Sequence, residues 1–233
     1  MRLLKKKAKV SKEKSKEKSK EQEVDPLLSE ELDQEEFDSF FSEVLKKIPQ
    51  KTSKVILNTY EKSKKVAETI LEKNQVKFDH VFEDFLKGVD PITRKKSHRI
   101  IHAASLTAAI IGCSPIPFSD AFLLVPVQLT MMARLHKLFG QPWSESLGKS
   151  LSKELVVVSL GRSAVGNLVK FVPAVGTVTG AAINATVASA ITESLGWVTV
   201  KMLNDGEDIF EQVMSFKGQF QTLFRALKTV SKK

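Results

Sequence analysis

A row of small and compact residues in the C-terminal half of the chain constrains its fold more than any other feature. They occupy every fourth position: Gly176, Gly180, Asn184, Ala188, Thr192 and Gly196. Residues four apart are neighbours on a helix surface, so the row predicts a helix with a groove that another backbone can approach closely. No residue between 171 and 192 carries a charge, which indicates a helix buried on most sides, in a protein core or in a bilayer.

If helices meet at this row, a large side chain placed in it should destabilise the fold. We therefore expect Gly180→Leu to lower the free energy of unfolding by about 1–3 kcal/mol, a typical cost of overpacking. A change at a polar position, such as Glu145→Gln, should have little effect.

Charge is distributed unevenly along the chain. The 233 residues include 36 Lys or Arg and 27 Asp or Glu, for a net charge of +9. Residues 1–20 hold ten basic and two acidic residues, whereas residues 21–43 hold ten acidic residues and no basic one. Only ten charged residues fall between 100 and 200, so this stretch should form a core. We predict a disordered charged arm (1–33), amphipathic N-terminal helices (34–90), a helical domain (91–206), and a C-terminal amphipathic helix with a basic tail (207–233).

Apolar residues recur with helical spacing, and strand patterns are almost absent. Between residues 37 and 48 they follow the i, i+3, i+4, i+7 pattern, and Pro49 ends the run. Residues 52–87 continue as one long helix or two abutting helices. We predict an all-α protein: a compact domain of about four to five helices, preceded by a charged helical arm and a disordered basic N-terminus.

Prolines and glycines indicate the helix boundaries. Gly88 and the Asp-Pro pair that ends at Pro91 separate the N-terminal helices from the domain. The second helix of the domain is expected to start near Ser119 or Asp120, either of which can cap it. Pro126 lies inside that helix and should kink it or reset its start.

The sequence contains no complete catalytic or metal-binding motif. Gly148–Ser150 is similar to the end of a phosphate-binding loop, but Trp143 stands where that loop needs its first glycine. His98 and His102 share a helix face, yet Arg99 follows His98 where a zinc protease motif needs Glu. We expect no metal, no cofactor and no enzymatic activity.

Asp120 and Cys113 also carry groups that can take part in chemistry. Asp120 stands alone beside a very apolar helix, and capping that helix is its expected role. An enzyme with an Asp120 site is an alternative that requires a second titratable group in the same pocket. The single cysteine, Cys113, has apolar neighbours, which predicts a buried and inert thiol.

The basic segments predict contact with an anionic surface. The cluster Arg94–Arg99 precedes the apolar block and is either a patch for a membrane or an acidic partner, or a solvated helix end. Nucleic acid is not an expected partner, because no aromatic residue interleaves the lysines before Phe37. The N-terminus lacks the apolar stretch of a secretory signal. We expect a cytoplasmic, membrane-associated protein, and leave an oligomer open.

Two stretches of the sequence carry a family resemblance. The first includes Ser114, Pro115, Pro117, Asp120, Pro126 and Gln128; the second includes Pro173, Gly176, Gly180 and Asn184, followed by Thr192 and Gly196. In order and spacing both stretches resemble the signatures of the bacterial family called domain of unknown function 697, over about residues 94–204. The resemblance implies a helical domain that is often fused behind an Era-like or dynamin-like GTPase domain and often tied to membranes.

The leading hypothesis combines these observations. It is a non-enzymatic helical interaction module, associated with the membrane and, as the resemblance implies, with a separate GTPase acting in trans, since the sequence shows no phosphate-binding loop. The alternative is a multi-pass or re-entrant integral membrane protein. Residues 171–192 leave both open, because they are uncharged but only seven of the 22 are Leu, Ile, Val, Phe or Met.

Overall fold

The structure is a computed structural model that describes residues 26–116, 123–144, 146, 148 and 180–230, and the side chains of these except at 26, 27, 74–80, 84 and 227–230. The described residues contain no strand and form seven helices: α1 (Pro26–Lys47), α2 (Gln50–Asn58), α3 (Tyr60–Phe85), α4 (Pro91–Cys113), α5 (Leu124–Leu138), α6 (Gly180–Asn204) and α7 (Val213–Val230). The prediction of an all-α fold is confirmed.

The helix boundaries follow the predicted breakers. α1 ends just before Ile48 and Pro49, and α2 and α3 abut at Thr59, so residues 52–87 do form two abutting helices. α4 begins at Pro91, after a turn in which Gly88 has a φ of +94°. A positive φ of this size favours glycine, which explains why the chain can turn sharply there.

The chain divides into two compact units, residues 1–35 and 36–233. The described part of the first unit, residues 26–35, forms the start of α1. The structure thus differs from the sequence interpretation at residues 26–33, which were assigned to a disordered arm but are helical. The second unit contains the rest of α1 and all the other described helices. The helices between residues 36 and 90, interpreted as a preceding arm, therefore belong to the same unit as α4, α5 and α6.

α6 is the central helix of the second unit. It contacts α3, α4, α5 and α7. Nearly every residue from Ala185 to Leu203 is buried, and the helix carries only two formal charges, on Glu193 and Lys201. The prediction of a helix buried on most sides is confirmed for this segment, whereas residues 171–179 lie outside the described part of the chain.

α4 and α6 approach until their backbones touch. A methyl group built on Gly112 would lie 2.8 Å from both the Cα atom and the amide nitrogen of Ala185. Farther along the pair, a methyl group on Gly196 would lie 2.7 Å from Cγ1 of Ile101 and 3.0 Å from the sulfur of Met131. α4 and α6 are therefore antiparallel, since residue 112 faces residue 185 and residue 101 faces residue 196.

The row of small residues is only partly a contact surface. Gly196 is packed closely, as the pattern predicted. Gly180 is exposed, and no described atom lies within 4 Å of a methyl group built on it. Among the described residues, the close contact at this end of the pair therefore falls on Gly112 of the opposite helix rather than on Gly180, and the expected destabilisation by Gly180→Leu stays a prediction.

α5 runs parallel to α6. Its Met131 contacts Gly196, and His136, nearer its C-terminal end, packs on Phe210, which follows the C-terminal end of α6. Pro126 is the third residue of α5, where its missing N–H has no intrahelical partner to lose. Of the two predicted effects of Pro126, a kink or a reset of the helix start, the position of Pro126 in the first turn agrees with the second, while Ser119 and Asp120 lie outside the described residues.

Arg134 of α5 fixes the part of α1 that belongs to the second unit. Its guanidinium group donates to Glu36 at 2.6 Å and to Glu43 at 2.7 Å, and lies 5.1 Å from the ring centre of Phe40. Lys47 bonds both Glu43 and Thr130, at 2.7 and 2.9 Å. Burial alone would raise the pKa of Glu43, but the bonds from Lys47 and Arg134 outweigh it and lower that pKa.

We expect Gly112→Ala to destabilise the protein, because its methyl group meets the backbone of α6 rather than a mobile side chain. The cost should be about 1–3 kcal/mol in the free energy of unfolding, measured by urea denaturation. Gly218→Ala is the matched control: Gly218 is helical and exposed, with no described atom within 4 Å of an added methyl group. There the gain in helix propensity should stabilise by up to about 1 kcal/mol. Equal gains for both variants would contradict the backbone contact.

Candidate functional site

The first family stretch shapes the C-terminal end of α4. Ser114 is buried, and its hydroxyl group donates to the carbonyl oxygen of Ile110 at 2.9 Å. The hydroxyl of Thr59, at the junction of α2 and α3, donates to the same Ser114 oxygen at 3.5 Å. Pro115, which follows, is exposed. Of the remaining predicted site residues, Pro117, Asp120, Pro173 and Gly176 lie outside the described residues.

Six side chains have a buried polar atom without a hydrogen-bond partner among the residues described: Ser97, Ser105, Gln128, Thr192, Trp197 and Glu207. Both polar atoms of the Gln128 amide are in this state, and so are the hydroxyl groups of Thr192 and Ser105. Gln128 and Thr192 are fully buried, and Ser105 is 1% exposed. Gln128 and Thr192 belong to the predicted family stretches, whereas the sequence analysis did not single out Ser105.

Gln128 and Thr192 lie at the same level of two parallel helices. Met131 of α5 contacts Gly196 of α6. Gln128 precedes Met131 by three residues, and Thr192 precedes Gly196 by four, so each lies one turn back on the same helix face as its contact residue. The two residues, which are 64 positions apart in sequence, therefore lie at the same level of the core.

Ser105, on the third helix α4, lies at the same level of the core as Gln128 and Thr192. Ile101 contacts Gly196 from α4, which runs antiparallel to α6. Ser105 follows Ile101 by one helical turn, and Thr192 precedes Gly196 by one turn. Because the two helices are antiparallel, these steps go in the same direction, and Ser105 lies at the level of Thr192. We call Ser105, Gln128 and Thr192 the polar layer.

A small pocket opens beside the polar layer. It has a volume of about 10 Å³ and is lined by Leu71, His98, Ile101, His102, Ser105 and Glu193. The rings of His98 and His102 stack with their centres 5.9 Å apart. The described residues contain no group of three or more His, Cys, Asp or Glu placed to hold a metal ion. A volume near 10 Å³ corresponds to about one water-sized group, so the pocket does not accommodate an organic substrate.

Cys113 is half-buried at the end of α4 rather than fully buried. Burial raises the pKa of its thiol to about 11. At neutral pH the thiol is therefore protonated, and a protonated thiol is a poor nucleophile. The prediction of an inert thiol agrees with this environment.

α4 places Lys95, Lys96 and Arg99 of the basic cluster on one face of the helix. Ile92, Lys95, Lys96 and Arg99 have the spacing i, i+3, i+4, i+7 and share one face of α4. Lys95 and Lys96 are exposed and Arg99 is partly exposed, whereas Ser97 between them is buried. We call Lys95, Lys96 and Arg99 the basic stripe. It places the exposed lysines Lys95 and Lys96 on a helix whose other side is packed in the core.

A buried histidine that the sequence analysis did not consider lies at the C-terminal end of α5. His136 is 3% exposed, and its Nδ1 atom lies 2.8 Å from the carbonyl oxygen of Met132. Its ring centre is 4.9 Å from that of Trp143 and 5.8 Å from that of Phe210. Burial lowers the pKa of His136, against weaker opposing effects of the Met132 carbonyl and Asp208. No sequence pattern marked this histidine, because its environment forms from three separate segments.

Replacing Gln128 by the nearly isosteric methionine should stabilise the protein, because it removes buried polar atoms without described partners. We expect the free energy of unfolding to rise by about 1–3 kcal/mol, the usual penalty for such a group. Gln221→Met, at an exposed position of α7, is the control and should change little. A loss of stability in Gln128→Met alone would show that the amide makes bonds that methionine cannot replace.

The stability of the protein should fall in mild acid through His136. Its pKa is near 6.5 in the unfolded chain and lower in the folded one, so the unfolded state takes up the proton first. The stabilisation is complete above the unfolded pKa and is lost as the pH falls through the folded pKa. Urea denaturation at a series of pH values should show a smaller acid-induced loss for His136→Gln than for the wild type. Identical pH profiles would contradict the burial of a neutral imidazole.

The described helices include none that is both long and apolar enough to span a membrane. No solved structure matches the chain.

Comparison with known proteins agrees with the resemblance found in the sequence. The chain is 35% identical over 111 residues to Magnetosome membrane protein 22 of Magnetospirillum gryphiswaldense, an alignment that covers 46% of this chain and 55% of that protein. The chain thus spans about half the length of this relative. The model of the family described as Domain of unknown function (DUF697) matches residues 78–229, which include α4, α5 and α6 with the polar layer and the basic stripe. The chain belongs to this family.

Proposed function

We propose that this protein is a non-enzymatic helical interaction module that attaches to the surface of membranes containing anionic lipid. The observation that carries the proposal is the basic stripe, in which Lys95, Lys96 and Arg99 face one way from a helix that is fixed in the core. Each Lys or Arg held near an anionic bilayer contributes about 1 kcal/mol to binding. Lys95 and Lys96, both exposed on one rigid face, account for a weak, reversible attachment.

Two further observations support this proposal. Residues 1–20 carry ten basic and two acidic residues, which adds a second positive segment of the same chain. The relative with 35% identity is named a magnetosome membrane protein. A cytoplasmic location fits this chemistry, because anionic lipids are concentrated in the cytoplasmic leaflet.

The non-enzymatic part of the proposal is supported by one described pocket and by the single cysteine. The pocket beside the polar layer has room for one water-sized group, and the Cys113 thiol has its pKa raised to about 11. Neither provides a substrate cleft with an activated nucleophile. Association with a separate GTPase, which the family resemblance implies, stays a prediction.

The test is flotation of the purified full chain with lipid vesicles. We expect binding to equimolar phosphatidylserine and phosphatidylcholine, little binding to phosphatidylcholine alone, and weaker binding as salt rises. The double variant Lys95→Gln/Lys96→Gln should bind roughly thirtyfold more weakly, because it loses about 2 kcal/mol of attraction. Lys62→Gln/Lys65→Gln removes the same charge from exposed positions of α3 and should bind nearly as well as the wild type.

Each other outcome has a defined meaning. Equal losses in the two double variants would show that net charge, rather than the basic stripe, determines binding. Binding to neutral vesicles that survives high salt and alkaline carbonate would favour the alternative, an integral membrane protein. No binding to any vesicle would contradict attachment to a lipid surface.

A further inference from the structure

Five large hydrophobic side chains are exposed in the described part of the chain. Their exposed fractions are 79% for Met214, 59% for Ile92, 52% for Leu57, 49% for Leu28 and 36% for Val66. Among these, Ile92 is the one that lies on the same face of α4 as the basic stripe, one turn before Lys95 and Lys96. An apolar side chain next to lysines is the combination that helices use to bind at a membrane interface.

We propose that Ile92 is the apolar anchor of this membrane contact: it inserts among the lipid headgroups while Lys95 and Lys96 contact the phosphates. The inference rests on the proposed attachment to an anionic bilayer. Insertion of Ile92 adds an apolar contribution to the binding free energy, which salt does not screen and which the basic stripe alone does not provide. It also orients the molecule, with the N-terminal end of α4 directed at the bilayer.

The start of α4 is held rigidly, which suits an anchor. The carboxylate of Asp90 accepts a hydrogen bond from the amide of Thr93 at 2.9 Å and caps the helix. Pro91 occupies the first turn, where its fixed φ matches the helix. Val89, just before the cap, is 8% exposed and ties the turn to the core. Ile92 is therefore presented in one position, and little conformational entropy is lost when it inserts.

The basic stripe and the anchor have compatible dimensions. From Ile92 to Arg99 α4 advances seven residues, or about 10 Å at the helical rise of about 1.5 Å per residue. An amphipathic helix at a membrane surface buries its apolar side chains about 5–10 Å into the boundary between headgroups and acyl chains. A tilt of α4 that places Ile92 deepest keeps the stripe within reach of the phosphates.

Met214 provides an internal comparison. It is the more exposed side chain, yet it follows the acidic segment that contains Glu207, Asp208 and Glu211. An anionic bilayer repels such a segment, so exposure alone should not make Met214 an anchor. If Ile92 acts through its basic surroundings, the same substitution at the two positions must have different effects.

The experiment compares Ile92→Ser with Met214→Ser on equimolar phosphatidylserine and phosphatidylcholine vesicles. We expect about tenfold weaker binding for Ile92→Ser, the effect of losing roughly half the transfer free energy of an isoleucine side chain. The decline of binding with salt should keep the wild-type slope, because all charges remain. Met214→Ser should bind like the wild type. Ile92→Trp should bind more tightly than the wild type, because tryptophan prefers the membrane interface.

Thermal unfolding of each variant in solution checks that the fold is intact, as expected for side chains this exposed. Wild-type binding by Ile92→Ser, or equal losses in Ile92→Ser and Met214→Ser, would overturn the anchor. Either result together with a strong loss in Lys95→Gln/Lys96→Gln would leave surface attachment standing without an inserted side chain. A wild-type protein that binds no vesicle would overturn the proposed function itself.

Discussion

The arrangement of this protein depends on one steric constraint, the contact between the backbones of α4 and α6 at Gly112 and Ala185. No side chain separates the two helices at that point. The small alanines of α4, such as Ala104 and Ala108, are therefore buried as well. Close approach increases the number of dispersion contacts that each atom makes. The antiparallel pair then offers a surface on which α3, α5 and α7 pack around α6.

This pair also decides which side chains can serve a function. The side of α4 that faces α6 is fully buried from Ile100 to Ile111, so the helix cannot rotate without exposing its apolar residues. The direction in which the basic stripe points is therefore fixed by the core. The polar layer is a cost of the same arrangement, because the packed helices bury Gln128 and Thr192 without a described hydrogen-bond partner.

The fold class, most helix boundaries and the family followed from the sequence, because periodicity, prolines and motif order are local properties of the chain. Gly112 could not be found this way: a single glycine near a helix end has no pattern, and its importance depends on how two helices cross. The spacing of the row included Gly180, but spacing does not reveal where a neighbouring helix ends. Likewise Gln128 and Thr192 were recognised as family residues, while their proximity required the relative direction of α5 and α6.

The bonds of Arg134 have a consequence for how this molecule responds to its ionic environment. One guanidinium group joins carboxylates of α1 that are seven residues apart, Glu36 and Glu43, and so fixes both the rotation and the sliding of that part of the helix. Packing in the uncharged core around α6 does not depend on ionic screening, but this attachment is ionic and partly exposed. Added salt therefore weakens electrostatic interactions at two places at once: at the basic stripe, and at the ion pairs between Arg134 and α1. If the proposed membrane attachment holds, a change in affinity with ionic strength reports the lipid contact alone only while α1 remains in place.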